Sequence, residues 1–332
     1  MIAAKLVRLK HRTGLLLAVG IGAIAGNSAS SQELAASDAS FRVISWNISD
    51  DAFVSEKQAF RSILRWANPD VVLLDEVGPT ADTEVLRSHL AALRPGEKET
   101  WSIDVGRSGG RQRDLIATRW DITPLSEFFS NVPYPENDRR RLSGMMSPED
   151  REEPDWSMDG GIPVNGAIIR IGNRSLLAVI ADLQCCGSGP ESWQELRRRV
   201  EARTIRTLIR KVLETHSVDG VIFAGDFNLV NSTFPMALLL GPYPGPHSGL
   251  VPAELYLPNR DVSWTWDGRG TPFPSNTLDY QLYCPFGLDM HSGFVVDAEE
   301  SSPEQRQRFG LEENTSKLTG RHRPLVVEYS WD

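Results

Sequence analysis

The sequence of 332 residues has few cysteines, no excess of basic residues and no long apolar run. Three cysteines are too few for the disulfide scaffold of a small secreted protein. The 35 Lys and Arg against 44 Asp and Glu give a net charge of −9, which argues against a generally basic nucleic-acid coat protein. Aromatic residues are plentiful, with nine Trp, twelve Phe and six Tyr, so intrinsic disorder is excluded as well.

The longest apolar run lies near the N-terminus, at residues 15–25. It is well short of the ~20 residues that span a bilayer. Four basic residues and no acidic residue precede it, and small residues follow it, which is the layout of a secretory signal peptide. We therefore expect a signal peptide over residues 1–30 and an exported protein, periplasmic or secreted, with no stable membrane anchor. A retained N-terminal anchor is the alternative interpretation.

Export would change both the charge and the redox environment of the chain. Without residues 1–30 the chain has 31 basic and 44 acidic residues, a net charge of −13. An oxidising compartment favours disulfides. Neighbouring cysteines rarely bond to each other, so the sequence predicts a bond between Cys284 and either Cys185 or Cys186. Three buried thiols are the alternative.

Short apolar runs alternate with helical patterns from residue 41 onward. The run Phe41–Trp46 and the fully apolar Val71–Leu74 predict strands, and residues 191–215 predict the longest helix. The Arg197–Arg199 run within that helix is most simply a solvated face. We find no repeat and no long polar linker, so the sequence predicts one large α/β domain over residues 41–332.

Residues 132–161 differ from the rest of this domain. They combine four prolines with many charged residues and show no apolar period. The segment therefore predicts an exposed surface insertion, a loop over one rim of the molecule.

Polar residues recur where the predicted strands end. Such positions present side chains from a rigid base, and ligands of α/β sheets gather there. The residues form five motifs: Ser45-Trp46-Asn47, Asp75-Glu76, Gly225-Asp226-Phe227-Asn228, Leu278-Asp279-Tyr280 and His322-Arg323-Pro324-Leu325. Carboxylates and amides with one histidine suit a hard cation such as Mg²⁺ or Mn²⁺. Each position alone is more often a turn residue or a helix cap.

The order of these motifs resembles the endonuclease/exonuclease/phosphatase superfamily, the DNase I-like metal-dependent phosphoesterases, over residues 41–329. The Gly225–Asn228 segment is the most specific part of the resemblance. The resemblance implies an α-β-β-α sandwich, with two packed mixed β-sheets and helices outside. It also implies Mg²⁺-dependent hydrolysis of a phosphate ester at one edge of the sandwich.

The resemblance also implies a role for each matching residue. Glu76 would be the main metal ligand, with Asn47 beside it. Asp226 would orient or activate the attacking water, and Asn228 would bind that water or a phosphoryl oxygen. His322 would contact the scissile phosphate, and Asp279 would hold its imidazole and raise its pKa.

Two positions depart from the family pattern. Arg321 precedes His322 where the family usually has an aspartate, which weakens metal binding unless Arg321 contacts the substrate phosphate. Asp182 stands where the family usually has a histidine, so it is an acceptor facing the phosphate or an additional metal ligand. Because of these departures, a binding module of the same fold with weakened catalysis is the alternative function.

The substrate follows less directly from the sequence. Nucleic acid is possible, but the acidic balance does not indicate it, since such binding relies on neutralising phosphates. A nuclease with a local basic groove is still compatible with an acidic net charge. Arg113 follows Gly109-Gly110 and either reaches an anionic substrate or is solvated.

Overall fold

The computed structural model describes residues 40–49, 51–96, 100–258 and 263–332. The expected signal peptide lies outside these residues. Among the residues that are described, no helix is both long and apolar enough to cross a membrane.

Twelve strands and ten α-helices make up the described chain. The strands are β1 (Phe41–Asn47), β2 (Val71–Val77), β3 (Ser102–Val105), β4 (Arg113–Thr118), β5 (Asp121–Pro124), β6 (Val164–Ile171), β7 (Arg174–Ala181), β8 (Gly220–Asp226), β9 (Val251–Pro252), β10 (Asp279–Tyr283), β11 (Leu288–Val295) and β12 (Leu325–Trp331). The helices are α1 (Ala52–Ser55), α2 (Lys57–Ala67), α3 (Thr83–Ala91), α4 (Ser126–Phe129), α5 (Glu136–Met145), α6 (Pro148–Glu152), α7 (Trp193–Thr215), α8 (Phe234–Leu239), α9 (Pro303–Phe309) and α10 (Thr315–Leu318), and one 3-10 turn covers Pro154–Trp156.

The strands form two mixed sheets of six. The first sheet has the order β11-β12-β1-β2-β4-β3, and the second has the order β5-β6-β7-β8-β10-β9. Each contains one parallel pair, β1 with β2 and β7 with β8, among antiparallel neighbours. The predicted fold of two packed mixed sheets with helices around them is confirmed.

The two sheets pack face to face through one apolar layer. Val43 and Leu73 of the first sheet share this layer with Ile222 of the second. Successive residues of a strand face opposite sides, so Ile44 and Leu74 point outward and pack under α2. Both faces of β1 and β2 are therefore buried, which explains their nearly continuous apolar runs.

Strand register places several motif residues at one edge of the sandwich. Asn47 lies opposite Asp75 where the parallel strands β1 and β2 end. In the second sheet, Asp226 at the end of β8 lies opposite Asp279 at the start of β10.

Residues 132–161 are more ordered than the sequence indicates. They contain α5, α6 and the 3-10 turn, in place of the expected loop. Val132, Tyr134 and Leu142 are buried in the core beneath α7. The segment thus contributes a few widely spaced apolar anchors, which produce no helical period in the sequence.

The predicted disulfide with Cys284 is wrong, because all three cysteines are free in the structure. The Cys284 amide bonds to Val221 at the beginning of β8, whereas Leu183, just before the cysteine pair, bonds to Asp226 at its end. Val221 and Asp226 are five positions apart along β8, roughly 16 Å. A disulfide requires Cα atoms closer than about 7 Å.

Candidate active site

The two sheets are joined at the edge where the motifs meet. The backbone N–H of Asp226 donates to Asp75 Oδ2 at 2.8 Å, although the two residues belong to different sheets. Asn47 Nδ2 lies 3.5 Å from Asp226 Oδ2. Asn47, Asp75 and Asp226 are all buried. The structure thus brings together residues from three of the motifs.

The segment Gly225–Asn228 needs an unusual backbone. Gly225 has φ +133°, and a Cβ there would lie 2.0 Å from the carbonyl oxygen of Ala181. Only glycine permits this approach between β8 and β7. Asn228 has φ +48°, and its N–H donates to Asp226 Oδ1 at 2.9 Å. The turn therefore fixes the Asp226 carboxylate from one side.

Asn228 also connects the turn to the end of β7. Its Nδ2 donates to Leu183 O at 2.8 Å and to Asp182 Oδ1 at 3.2 Å. Asp182, the departure from the family pattern, is therefore a buried neighbour of the Asp226 turn.

His322 lies between two carboxylates. Its Nδ1 is 3.0 Å and 3.1 Å from the oxygens of Asp279 and 3.6 Å from Asp226 Oδ2. Burial lowers the pKa of His322, but the charges of Asp279 and Asp226 outweigh burial and raise it to about 10. The imidazole is thus protonated at neutral pH, and its Nε2 also carries a proton.

Thr265 is a positioning residue that the sequence analysis missed. Its hydroxyl donates to Asp279 Oδ2 at 2.6 Å and accepts the N–H groups of Leu278 and Asp279. It fixes the carboxylate that holds His322. Thr265 and Asp279 are fourteen positions apart in sequence, so no local sequence pattern predicts their contact.

Glu76 lies at an irregularity in the sheet. The pairing of β2 with β4 shifts between Leu74 and Val77, and Glu76 has φ +54°. A bulge of this kind re-aims a side chain at a strand end. Strained conformations of non-glycine residues cluster at functional sites, and Asn228 shows the same feature on the other sheet.

Asp114 is a second residue that the sequence analysis left without a role. Neither of its carboxylate oxygens has a hydrogen-bond partner within the described part of the chain, and the side chain is fully buried. Burial raises its pKa well above the usual range, and the charge of Glu76 raises it further. Because β4 runs antiparallel to β2, the start of β4 reaches the edge where β2 ends.

Burial also raises the pKa values of Asp75 and Asp182. The pKa of Asp75 rises further through Asp279 and Asp226, and that of Asp182 through Glu76 and Asp226. Asp226 itself is raised to about 7, first by burial and then by Asp279. A cluster of carboxylates in one low-dielectric site repels further negative charge and favours a cation.

The site contains two kinds of group: a histidine paired with carboxylates, and further carboxylates that could bind a cation. Asp226, Asp279 and His322 each place one ligand-type atom within 4.8 Å of the others. The contacts of His322 Nδ1 with the carboxylates of Asp279 and Asp226 favour an ion-paired imidazole over a metal ligand. The charge of Glu76 raises the pKa values of both Asp114 and Asp182, so these three carboxylates are further candidate ligands of a hard cation, and the unpartnered oxygens of Asp114 fit that use.

The two arginines proposed to reach substrate have backbone contacts. Arg321 is exposed, and its Nη1 donates to Asp267 O at 3.0 Å and to Arg269 O at 3.4 Å. Arg113 lies opposite Val77 in the β2–β4 pairing, one residue from Glu76, and its Nε donates to Gly110 O. Of the two, Arg113 begins the strand that carries Asp114.

Three cavities lie at or near the site. One of about 220 Å³ is lined by Glu76, Asp182 and Cys185. Another, of about 260 Å³, is lined in part by Thr265 and Asp279. The third is an open cleft of about 710 Å³, whose lining includes Leu229 and Tyr280, the sequence neighbours of Asn228 and Asp279.

The sequence matches the Endonuclease/Exonuclease/phosphatase family over residues 44–303. No curated protein matches it in sequence. Among solved structures, an endonuclease/exonuclease/phosphatase from Bacteroides vulgatus is similar, with a TM-score of 0.54 at 14% identity, covering 89% of this chain and 100% of that chain. TDP2 from D. rerio, complexed with single strand DNA product, has a TM-score of 0.51 at 14% identity, covering 88% and 100%. The human Nocturnin catalytic domain with bound sulfate has a TM-score of 0.53 at 15% identity, covering 89% and 96%. The chain belongs to the endonuclease/exonuclease/phosphatase family.

Proposed function

We propose that the protein is a divalent-metal-dependent phosphoesterase that hydrolyses its substrate by attack of water. The observation that carries this proposal is the His322 imidazole, which Asp279 and Asp226 hold and whose pKa the charge of Glu76 also raises. The imidazole supplies a positive charge, and Asp226 supplies a carboxylate that can face the attacking water, at one edge of the sandwich.

Glu76, Asp114 and Asp182 would hold the cation, Mg²⁺ or Mn²⁺. The choice follows from the oxygen donors and from the buried Asp114 oxygens that lack protein partners in the described chain. When bound, such a cation neutralises charge on the phosphate and on the leaving oxygen.

The chain's own residues provide the proton transfer and the charge stabilisation. Ionised Asp226 accepts a proton from water as the water oxygen bonds to phosphorus and the ester P–O bond breaks, and the departing oxygen takes a proton from solvent. Asn47 and the N–H of Asn228 orient that carboxylate. His322 donates a hydrogen bond from Nε2 to a phosphoryl oxygen and stabilises the added charge.

The open cleft supports an organic phosphodiester as substrate. Phe234, which is 52% exposed, lines it, and the Arg199 guanidinium lies 4.7 Å from the centre of the Phe234 ring, so an apolar ring and a cation meet at this cleft. The D. rerio relative bound to single strand DNA product makes single-stranded DNA one candidate. The acidic net charge of −9 makes short or small substrates equally good candidates.

A hydrolysis screen tests this proposal. It would present a generic aryl phosphodiester, an aryl phosphomonoester, single-stranded DNA and sphingomyelin to the protein with Mg²⁺ or Mn²⁺. We expect metal-dependent turnover of at least one of them, lost in Asp226→Asn. Equal inactivity of wild type and variant on every substrate would contradict the enzyme proposal and favour the alternative, a binding module of this fold.

Export remains part of the proposal. Its support is the basic start and apolar run of residues 1–30. N-terminal sequencing of protein recovered from outside the cytoplasm would find a start near residues 29–36. A start at Met1 would contradict cleavage.

A further inference from the structure

Cys185 and Cys186 are neighbours in sequence whose sulfur atoms also meet. Their Sγ atoms lie 2.7 Å apart. In an extended strand, successive side chains point to opposite faces, so adjacent cysteines keep their sulfurs apart. Here Cys186 has φ +68° and Gly187 has φ +94°. This turn brings both thiols to one side of the loop that follows β7.

Buried groups of α7 hold this loop in place. Arg198, which is fully buried, donates from Nη1 to Gln184 O at 2.7 Å and to Cys186 O at 2.8 Å. Its Nε donates to Glu195 Oε2 at 3.1 Å, and Glu201 Oε2 accepts the Gln184 N–H at 2.8 Å. The carbonyls on both sides of Cys185 are thus fixed by one guanidinium. The thiol pair is a feature built into the fold.

The two thiols differ in exposure. Cys186 is exposed, whereas Cys185 is half-buried and lines the cavity that also contains Glu76. The hydrogen bond with Cys185 lowers the pKa of the Cys186 thiol to about 7, burial opposes this shift, and the charge of Arg198 supports it. The same hydrogen bond and burial raise the pKa of Cys185. Cys186 is therefore the accessible nucleophile and Cys185 is the resolving thiol.

We propose that Cys185 and Cys186 are a redox modification site, a dithiol that closes to a vicinal disulfide by exchange with a low-molecular-weight disulfide. The thiolate of Cys186 attacks the external disulfide RS–SR, which forms a mixed disulfide and releases RS⁻. The Cys185 sulfur then loses its proton to solvent and attacks Cys186 Sγ, which releases the second RS⁻. Two protein thiols are oxidised to one disulfide, and the external disulfide is reduced to two thiols.

The position of the pair links its redox state to the cavity that contains Glu76. Leu183 and Asp182, just before the loop, are the two acceptors of the Asn228 side chain. Closure of the disulfide ring constrains the peptide bond between the two cysteines. It therefore also changes the position of the Cys185 side chain that lines the cavity. The modification itself does not depend on the proposed phosphoesterase activity.

Oxidised glutathione is the probe that tests the site. After incubation of the folded protein, we expect intact mass to fall by two hydrogen atoms, with no glutathione retained. Peptide mapping should place the bond between Cys185 and Cys186 and leave Cys284 reduced. In Cys185→Ser the resolving thiol is missing, so one glutathione should remain on Cys186. Cys284→Ala should close as the wild type does.

A comparison with the unfolded chain tests the role of the fold. In denaturant the pair loses its turn, so half-closure should require about tenfold more oxidised glutathione at the same reduced concentration. Equal closure in both states would contradict a built site. A glutathione adduct that persists on wild-type Cys186, or a bond to Cys284, would overturn the proposal.

Discussion

The backbone N–H of Asp226 donates to Asp75 Oδ2 at 2.8 Å, and this bond joins the first sheet to the second at the candidate active site. Asp75 is fully buried, and its other oxygen has no partner within the described residues. The position of the water-directed carboxylate therefore depends on how β2 is placed against β8.

Loss of this acceptor should destabilise the protein. Asp75→Ala leaves the Asp226 N–H buried without a partner, which costs about 1–3 kcal/mol of unfolding free energy. Asp75→Asn keeps an acceptor and should lose less. Denaturant unfolding near neutral pH gives both values. If the two variants are equally destabilised, the inter-sheet bond is not what Asp75 contributes.

Stability without metal should fall as pH rises. The folded-state pKa of Asp226 is raised from 3.8 to about 7, so the folded protein holds a proton that the unfolded chain releases. The contribution of Asp226 to the free energy of unfolding is therefore fully present below the unfolded-state pKa of 3.8 and is lost as pH rises to about 7. Asp75, Asp114 and Asp182 shift in the same direction. Thermal melting in chelator across this window measures the slope, and a stability that rises with pH would contradict it.

Mg²⁺ should reverse this loss, and Asp114→Asn should shift the reversal to higher Mg²⁺ concentration. The amide keeps the shape of Asp114 and removes a carboxylate whose two oxygens lack protein partners in the described chain. We expect the metal-free melting temperature to stay the same or rise, while Mg²⁺ affinity falls about tenfold or more. Melting temperature against Mg²⁺ concentration measures both effects. An unchanged Mg²⁺ response would place the cation away from Asp114.

Activity should follow a bell-shaped pH profile. Ionised Asp226 and protonated His322 are both needed, so kcat/KM should rise through about 7 and fall near about 10. The rising limb should move to lower pH as Mg²⁺ concentration increases, because a cation favours the ionised carboxylate.

Asp279→Asn is the matched test of that profile. Asp279 raises the pKa values of both Asp226 and His322, so both limbs should move to lower pH in the variant. A purely structural role for Asp279 would lower the rate without moving either limb.

The sequence was sufficient to predict those site residues that stand in a recognisable local pattern. Asn47, Glu76 and Asp226 follow apolar strands, and the glycine at 225 marks the tight approach to β7. Asp114 was missed because it begins its strand, and only the antiparallel pairing with β2 brings that beginning to the site.

Other features depend on tertiary contacts that no local pattern contains. Arg197 and Arg198 suggest a solvated face, yet both are buried against Glu201 and Glu195. The helix α5 has one fully buried apolar residue, Leu142, which is too little for a periodic signal. The contact between Cys185 and Cys186 depends on the left-handed turn that Arg198 holds.

Metal-dependent hydrolysis by wild type and Glu76→Gln is the most direct test of the central claim. With an aryl phosphodiester or single-stranded DNA, we expect wild-type turnover in millimolar Mg²⁺ and none in chelator. Glu76→Gln should need a higher Mg²⁺ concentration for half-maximal rate, and His322→Ala should lose about 100-fold or more in kcat at saturating metal. Hydrolysis that is equally fast in chelator, or unaffected by both substitutions, would contradict the account.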